Sequence, residues 1–220
     1  MSVRTKPILV ILFILAADQI FKIWIKTNFA IGDEVNVLGN WFVLHFTENP
    51  GMAFGMNFWG IWGKIFLSIF RVLAIVLIAW YLHKLVKQNV KFGVIAGVSL
   101  ILAGAIGNMI DSAFYGFLFD KGTIYNHQID SWVAYPGVAR FNFGGYAGFL
   151  QGCVVDMLYF PVIDTVMPTW VPIWGGQHFV FFRPVFNIAD SAITIGVFYL
   201  ILFHRSSFLG TTAKKLNQAE

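Results

Sequence analysis

The chain has 220 residues, 58% of them hydrophobic and only 12% charged, with a formal charge of +4 and a mean hydropathy of +0.71. Soluble domains are about 45–50% apolar and about 25% charged, so a water-soluble globule is excluded and an integral membrane protein is indicated. The Lys and Arg residues are too thinly spread for a nucleic-acid surface, and a single cysteine, Cys153, excludes an internal disulfide framework.

A membrane-spanning helix needs about 20 mostly apolar residues. Four stretches qualify: residues 7–25, 61–82, 92–110 and 185–203. The first begins with the basic MSVRTK and superficially resembles a secretory leader. Its sequence LAADQIFKIWIK offers only a poor cleavage site, so it is read as a retained span. Arg4 and Lys6 precede span one, Lys84, Lys87 and Lys91 lie between spans two and three, and Arg205, Lys214 and Lys215 follow span four. By the positive-inside rule these flanks are cytoplasmic, which puts both termini inside. Residues 26–60 and 111–184 are then extracytoplasmic. In the first of these, Trp41, Val43, His45 and Thr47 alternate with Phe42, Leu44, Phe46 and Glu48. That period of two predicts a short strand or hairpin, with turns near Gly39-Asn40 and Asn49-Pro50-Gly51. The expected fold is one membrane domain over residues 1–220: an all-α bundle of four transmembrane helices, a small extracytoplasmic β-sheet and long extracytoplasmic loops.

Small residues let membrane helices approach closely. Gly93 and Gly97 read as packing positions, whereas Gly104 and Gly107 are also expected to open room beside Asn108 and Asp111. The aromatic stretch WVPIWGGQHFVFF reads as an interfacial belt.

The intramembrane acids share one depth. Asp18, Asp111, Asp156 and Asp190 all fall toward the outer ends of the spans or beside them, with Asn49, Asn108 and Asn187 at the same level. Ionisable groups in spans are costly and usually functional. Two carboxylates in a poorly solvated cleft do not both ionise easily, so a pair divides acid and base roles around a water. No H-E-x-x-H, G-x-S-x-G, Walker loop or His/Cys cluster competes with that reading, and no metal or cofactor is expected. Each acid also has a structural reading: Asp18 as an ion pair with Lys22 one turn on, Asp111 as a helix end, Asp156 and Asp190 as turn or cap residues. A proton-coupled transporter would need polar groups joining both faces, but the inner halves of the spans are nearly purely apolar apart from Arg71. A non-catalytic assembly factor gives its acids no reason to share a depth.

Five short motifs then resemble, in order, those of the bacterial lipoprotein signal peptidases (signal peptidase II). DQIFK (18–22) resembles the first-helix motif, and NPGMAF (49–54) is similar to N-x-G-x-A-F. AGAIGNMID (103–111) is similar to G-G-x-x-G-N-x-x-D-R, GCVVDM (152–157) to G-x-V-V-D-F, and FNIADSAI (186–193) to F-N-x-A-D-x-x-I. The resemblance implies an aspartic endopeptidase of the bacterial cytoplasmic (inner) membrane. It would remove signal peptides from diacylglyceryl-modified prolipoproteins, cutting before the lipidated cysteine. It implies Asp156 and Asp190 as the catalytic pair, with Lys22, Asn49, Gly51, Gly104, Gly107, Asn108, Asp111, Asn187 and Ala189 shaping the site or binding substrate or inhibitor. Implied partners are lipidated prolipoproteins, membrane lipids and globomycin-type inhibitors, with no nucleic acid, and the chain is expected to be a monomer. The family's small β-sheet on the outer membrane surface agrees with the alternation at 35–47. Two departures stand out. Ser112 replaces the family arginine after Asp111, which leaves Asp111 in need of another partner, with Arg140 and Lys121 as candidates. Segments 112–151 and 157–184 are long and read as outer insertions that wall or lid the cleft.

Overall fold

The computed structural model describes residues 5–51 and 60–216, with side chains through Arg205 in the last helix. Arg4, residues 52–54 of the second motif and the side chains of Lys214 and Lys215 lie outside the described residues.

Four apolar helices are long enough to cross a membrane. They are α1 (Thr5–Asn28), α2 (Gly60–Lys87), α3 (Phe92–Ile110), which continues through a π-helical turn (Asp111–Tyr115) into the single-turn α4 (Gly116–Leu118), and α5 (Ile188–Leu216). The expected end of a helix at Asp111 is therefore corrected. The helix is not broken there but widened, because a π turn inserts one residue into the ladder. Helix α2 stops where Asn89 takes φ +51°, the left-handed conformation that Asn tolerates at a helix C-terminus. Lys84 and Lys87 in its last turn complement the helix dipole. The fourth span begins later than its hydropathy suggests. Val185–Phe186 is a short strand, and the helix starts at Ile188.

The strands are β1 (Glu34–Leu38), β2 (Phe42–Asn49), β3 (Ile124–Asn126), β4 (Ser131–Val133), β5 (Val154–Tyr159), β6 (Ile163–Val166), β7 (His178–Phe181) and β8 (Val185–Phe186). One antiparallel sheet has the order β1-β2-β5-β8, and β3-β4 and β6-β7 form separate two-stranded hairpins. The alternating stretch is thus a hairpin, as its period of two predicts. The even positions of β2 point inward, with Leu44, Phe46 and Glu48 buried.

By their contacts the residues group into two compact units. One combines α1 up to Gln19, α2 from Ser68, α3 up to Met109, and α5. Its core is Leu82, Leu85, Val94, Ile95, Val98, Leu102 and Leu200. Here the small residues do what their spacing suggests: a Cβ at Gly97 would lie 2.6 Å from Leu200, and one at Gly196 would lie 2.8 Å from the Gly97 carbonyl. Helix α3 is the most enclosed, with 61% of its most apolar window buried against 11–22% in the other three spans. The other helices expose large apolar side chains such as Phe13, Leu77 and Leu202, which suits a lipid surround.

The second unit comprises Ile20–Leu67 and Ile110–Asn187. It holds the sheet, both hairpins, the end of α1 and the start of α2. Its core includes Ile25, Phe29, Leu44, Phe46, Tyr115, Phe119, Val155 and Met157. Unusually for a small core, Lys22, Lys26 and Asp111 are also completely buried there.

Candidate active site

In the helical unit, the polar site is built around the start of α5. The first N–H groups of a helix lack intrahelical partners. Asp18, from α1, supplies one: the Ala189 N–H donates to its Oδ1 at 2.9 Å. Gln19 donates to Asp18 Oδ2 at 3.1 Å and to the Gly107 carbonyl at 3.2 Å. Asp18 is therefore a cap supplied from a distant part of the chain, a role its sequence spacing to Lys22 does not suggest. The glycines explain themselves at the same place. A Cβ at Gly104 would sit 2.2 Å from the Ala189 carbonyl, and one at Gly107 would sit 2.8 Å from Asp18 Oδ2. Their space is filled by the α5 start and by Asp18. One turn along, Asn108 Nδ2 donates to Asp190 Oδ1 at 2.7 Å. Asp190 is partly exposed, while Ala189 is fully buried.

In the sheet unit, Asp156 lies in the middle of β5, paired opposite Thr47, with Glu48 opposite Val155 and Asn49 opposite Val154. Asp156 is 4% exposed. Asn187 Nδ2 donates to Asp156 Oδ1 at 2.6 Å and to the Val155 carbonyl at 3.2 Å. Pairing of β8 with β5 sets this geometry, since Leu158↔Phe186 and Tyr159↔Val185 bring the chain back beside Asp156 before α5 begins. Each aspartate thus accepts an amide N–H from an asparagine of its own unit.

Asp111 is held by Lys22 Nζ at 2.9 Å and by the Val155 N–H at 3.1 Å, both on Oδ2. Asp111 thus has a cation and a backbone N–H as partners although Ser112 stands where the family motif has arginine. The two substitutes named from the sequence do not serve: Lys121 donates to the Pro136 carbonyl and is far more exposed, and Arg140 meets Asp120 through its backbone N–H. The π turn also explains the glycine of the fourth motif. A Cβ on Gly152 would lie 2.3 Å from the Asp111 carbonyl and 2.9 Å from the Gly116 nitrogen. Gly152 donates its N–H to the Ser112 carbonyl at 3.0 Å. At the end of β2, Asn49 Oδ1 accepts the Gly51 N–H at 2.8 Å while Gly51 takes φ +97°, a conformation natural only to glycine. Lys64 Nζ fixes the intervening Pro50 carbonyl at 3.0 Å.

Sequence reasoning missed one feature. Lys26 is buried, ion-paired with Glu48, and its ammonium lies 5.1–5.3 Å from the ring centres of Phe119, Tyr135 and Tyr146. Glu48 also accepts the Thr123 N–H at 2.6 Å. The signal was available: Asp18, Lys22 and Lys26 recur every four residues, so they share one face of an otherwise apolar helix. Burial, and then the Glu48 carboxylate, pushes the Tyr135 hydroxyl far above its usual range. Burial likewise pushes the Cys153 thiol up to about 12. Cys153 donates to the Thr123 carbonyl, so it is a protonated core residue, as a lone cysteine without a motif suggests. Among the described residues no three His, Cys, Asp or Glu side chains are grouped as a metal site.

A family model described as signal peptidase (SPase) II matches residues 10–205. The chain belongs to the signal peptidase II family. The lipoprotein signal peptidase of Porphyromonas gingivalis is 45% identical over 193 residues, covering 87% of this chain and 79% of that one. That of Amoebophilus asiaticus is 37% identical over 193 residues, covering 86% and 73%. In fold, the chain resembles a bacterial membrane enzyme solved by the in meso method at 1.9 Å, with a TM-score of 0.57 and 24% identity over 91% of this chain and 94% of the other. Signal peptidase II enzymes are aspartic peptidases, and this chain is a multi-pass membrane peptidase of that class.

Proposed function

We propose that the chain removes signal peptides from diacylglyceryl-modified prolipoproteins, cutting before the lipidated cysteine, with Asp156 and Asp190 as the catalytic carboxylates. The observation that carries the residue assignment is the matched pair of amide contacts, Asn187 to Asp156 at 2.6 Å and Asn108 to Asp190 at 2.7 Å. Catalytic side chains need their orientation fixed before substrate arrives. Both asparagines belong to the motifs that resemble the family's, and each holds a different aspartate.

In this reading one ionised aspartate takes a proton from water, whose oxygen attacks the carbonyl carbon of the scissile bond. The other, protonated, donates a hydrogen bond to the developing oxyanion. Collapse breaks the C–N bond, and the leaving amine of the lipidated cysteine takes up the proton. No metal or cofactor enters. Asp111, held by Lys22 and the Val155 N–H, supports the strand that carries Asp156. The Asn49–Gly51 turn and the Gly104–Gly107 face shape the surroundings. The whole chain acts as one peptidase domain and as a monomer. It lies in the bacterial cytoplasmic membrane, with both termini inside and its chemistry at the extracytoplasmic side, where globomycin-type inhibitors would bind. The basic flanks Lys84, Lys87 and Lys91 support that sidedness.

The test is a gel-shift cleavage assay on purified wild type, Asp156→Asn and Asp190→Asn. Each meets a diacylglyceryl-modified prolipoprotein and its unlipidated form. Cleavage of the lipidated form alone, by wild type alone, is the expected result. Full cleavage by either variant removes that aspartate from the chemistry.

A further inference from the structure

The second insertion contains a feature that the peptide-bond chemistry does not use. Residues 162–182 fold as the β6-β7 hairpin with a nine-residue tip, 168–176. The segment is exposed on both sides: Val162, Ile163 and Val166 at its start, Phe181 at its end, and Trp170 and Ile173 at its tip, 80% and 85% exposed. A lone two-stranded hairpin is at best marginal in water, because it buries no face. Yet the tip is tightly built, with Gly176 donating to the Met167 carbonyl at 2.9 Å and Gly175 to the Val171 carbonyl at 3.0 Å. At its apex Ile173 takes φ +73°. A β-branched residue in the left-handed region is strained, and glycine or asparagine would relieve that strain. What isoleucine brings there is an apolar side chain held outward.

Charge points the same way. From 162 to 182 the only carboxylate is Asp164, and there is no Lys or Arg. Asp164 is paired with His178 across the hairpin at 2.5 Å. The next residue after the segment is Arg183, at the hairpin's base. The same compact unit carries the ends of two spans, where Trp24 and Trp62 are exposed. It also carries an unbroken series of ring contacts, Trp41 to Phe160 to Phe186 to Phe182, that reaches the foot of the hairpin.

We propose that the β6-β7 hairpin is a membrane-interface anchor whose tip, led by Trp170, Ile173 and Trp174, inserts into the lipid headgroup region. Trp favours that zone because its ring is apolar and its N–H polar. The outward N–H and C=O groups along the hairpin's two edges need water or polar headgroup partners, which holds the hairpin in the interface and out of the hydrocarbon. Four-residue strands reach only about 13 Å, far less than the ~30 Å hydrocarbon core, so the hairpin dips and does not cross. This inference rests on the spans lying in a bilayer and not on the identity of the catalytic pair.

Nitroxide labels at Ile173→Cys and Trp170→Cys, with Gln128→Cys in the β3-β4 turn as the aqueous reference, report the surroundings in vesicles of phosphatidylethanolamine and phosphatidylglycerol. Cys153 is buried and protonated, so it takes little label. The expected result is that positions 170 and 173 collide mainly with oxygen, and position 128 mainly with an aqueous nickel chelate, the accessibility ratios differing several-fold. An unlabelled check compares the wild type with Trp170→Tyr/Trp174→Tyr: the fluorescence removed should be that quenched best by lipids brominated near the ester group. Nickel access at 173 equal to that at 128 overturns the proposal. So does protection that appears only on adding prolipoprotein, which makes the signal segment the occupant. So does protection that grows with protein density alongside dipolar broadening, which makes a second copy the occupant.

Discussion

Lys26→Met is the perturbation that most directly interrogates the buried electrostatics of the sheet unit. It takes the cation from the Glu48 carboxylate in a site where Lys26 and Glu48 both have 0% side-chain exposure. Removing one partner of a buried pair costs about 3–5 kcal/mol, because the remaining charge is uncompensated. Met keeps the volume and some sulfur–ring contact with Phe119, Tyr135 and Tyr146, which limits any cavity contribution. Glu48→Gln should cost less, about 2–3 kcal/mol. Its amide oxygen can still accept the Thr123 N–H, and the stranded ammonium keeps rings at 5.1, 5.1 and 5.3 Å, a cation–π setting worth about 1–2 kcal/mol when desolvated. The double variant should recover at least about 2 kcal/mol relative to the sum of the singles. The assay is thermal unfolding in detergent, read by reaction of Cys153 with a fluorogenic maleimide. This works because the chain's one cysteine is buried until the sheet unit opens. At roughly 2–4 °C per kcal/mol for a chain of this size, Lys26→Met should lower Tm by about 6–20 °C. Strict additivity of the two singles, or losses below about 1 kcal/mol for both, would refute the reasoning, since either result means that the pair is solvated.

Three further outcomes follow from single contacts. Gly152→Ala puts a Cβ 2.3 Å from the Asp111 carbonyl, and backbone on both sides cannot yield. It should cost more than about 3 kcal/mol and abolish cleavage, whereas Gly176→Ala, at φ +76° with open space around it, should cost only about 1–2 kcal/mol; unfolding curves of the two variants compare them. Asp18→Asn should keep an acceptor for the Ala189 N–H and stay near wild-type stability, while Asp18→Ala should lose about 1–2 kcal/mol as an uncapped helix start, and equal stability of the two variants would remove the capping role. Stability should also fall as pH rises from about 9 toward 12. The Cys153 thiol ordinarily titrates at 9.0 and is pushed up to about 12 by burial, so over that window the unfolded chain releases a proton that the folded chain keeps. Replacing Cys153 with alanine should flatten part of that alkaline slope in chemical denaturation at graded pH, the remainder belonging to the buried tyrosines.

The amino-acid sequence by itself determined the membrane class, the four apolar helices and the β1-β2 hairpin. These depend on local composition and on side-chain periods of 3.6 and 2 that the backbone imposes directly. It also carried the five motifs, and with them the family. Strand β5 was not legible as a strand, because VVDMLY sits between β2 and β8 with its first four residues buried, and a strand covered on both faces shows no alternation. The start of span four was misplaced for a similar reason: Val185 and Phe186 are as apolar as the helix that follows, and only pairing with β5 makes them a strand. Above all, the tertiary structure decided the partners of the charges. Local spacing joins Asp18 to Lys22 on one helix face. The fold gives Asp18 the N-terminus of α5, Lys22 the carboxylate of Asp111, and Lys26 the carboxylate of Glu48. A buried charge settles wherever the folded chain offers an opposite charge or a backbone dipole, and neither is written in the residues beside it.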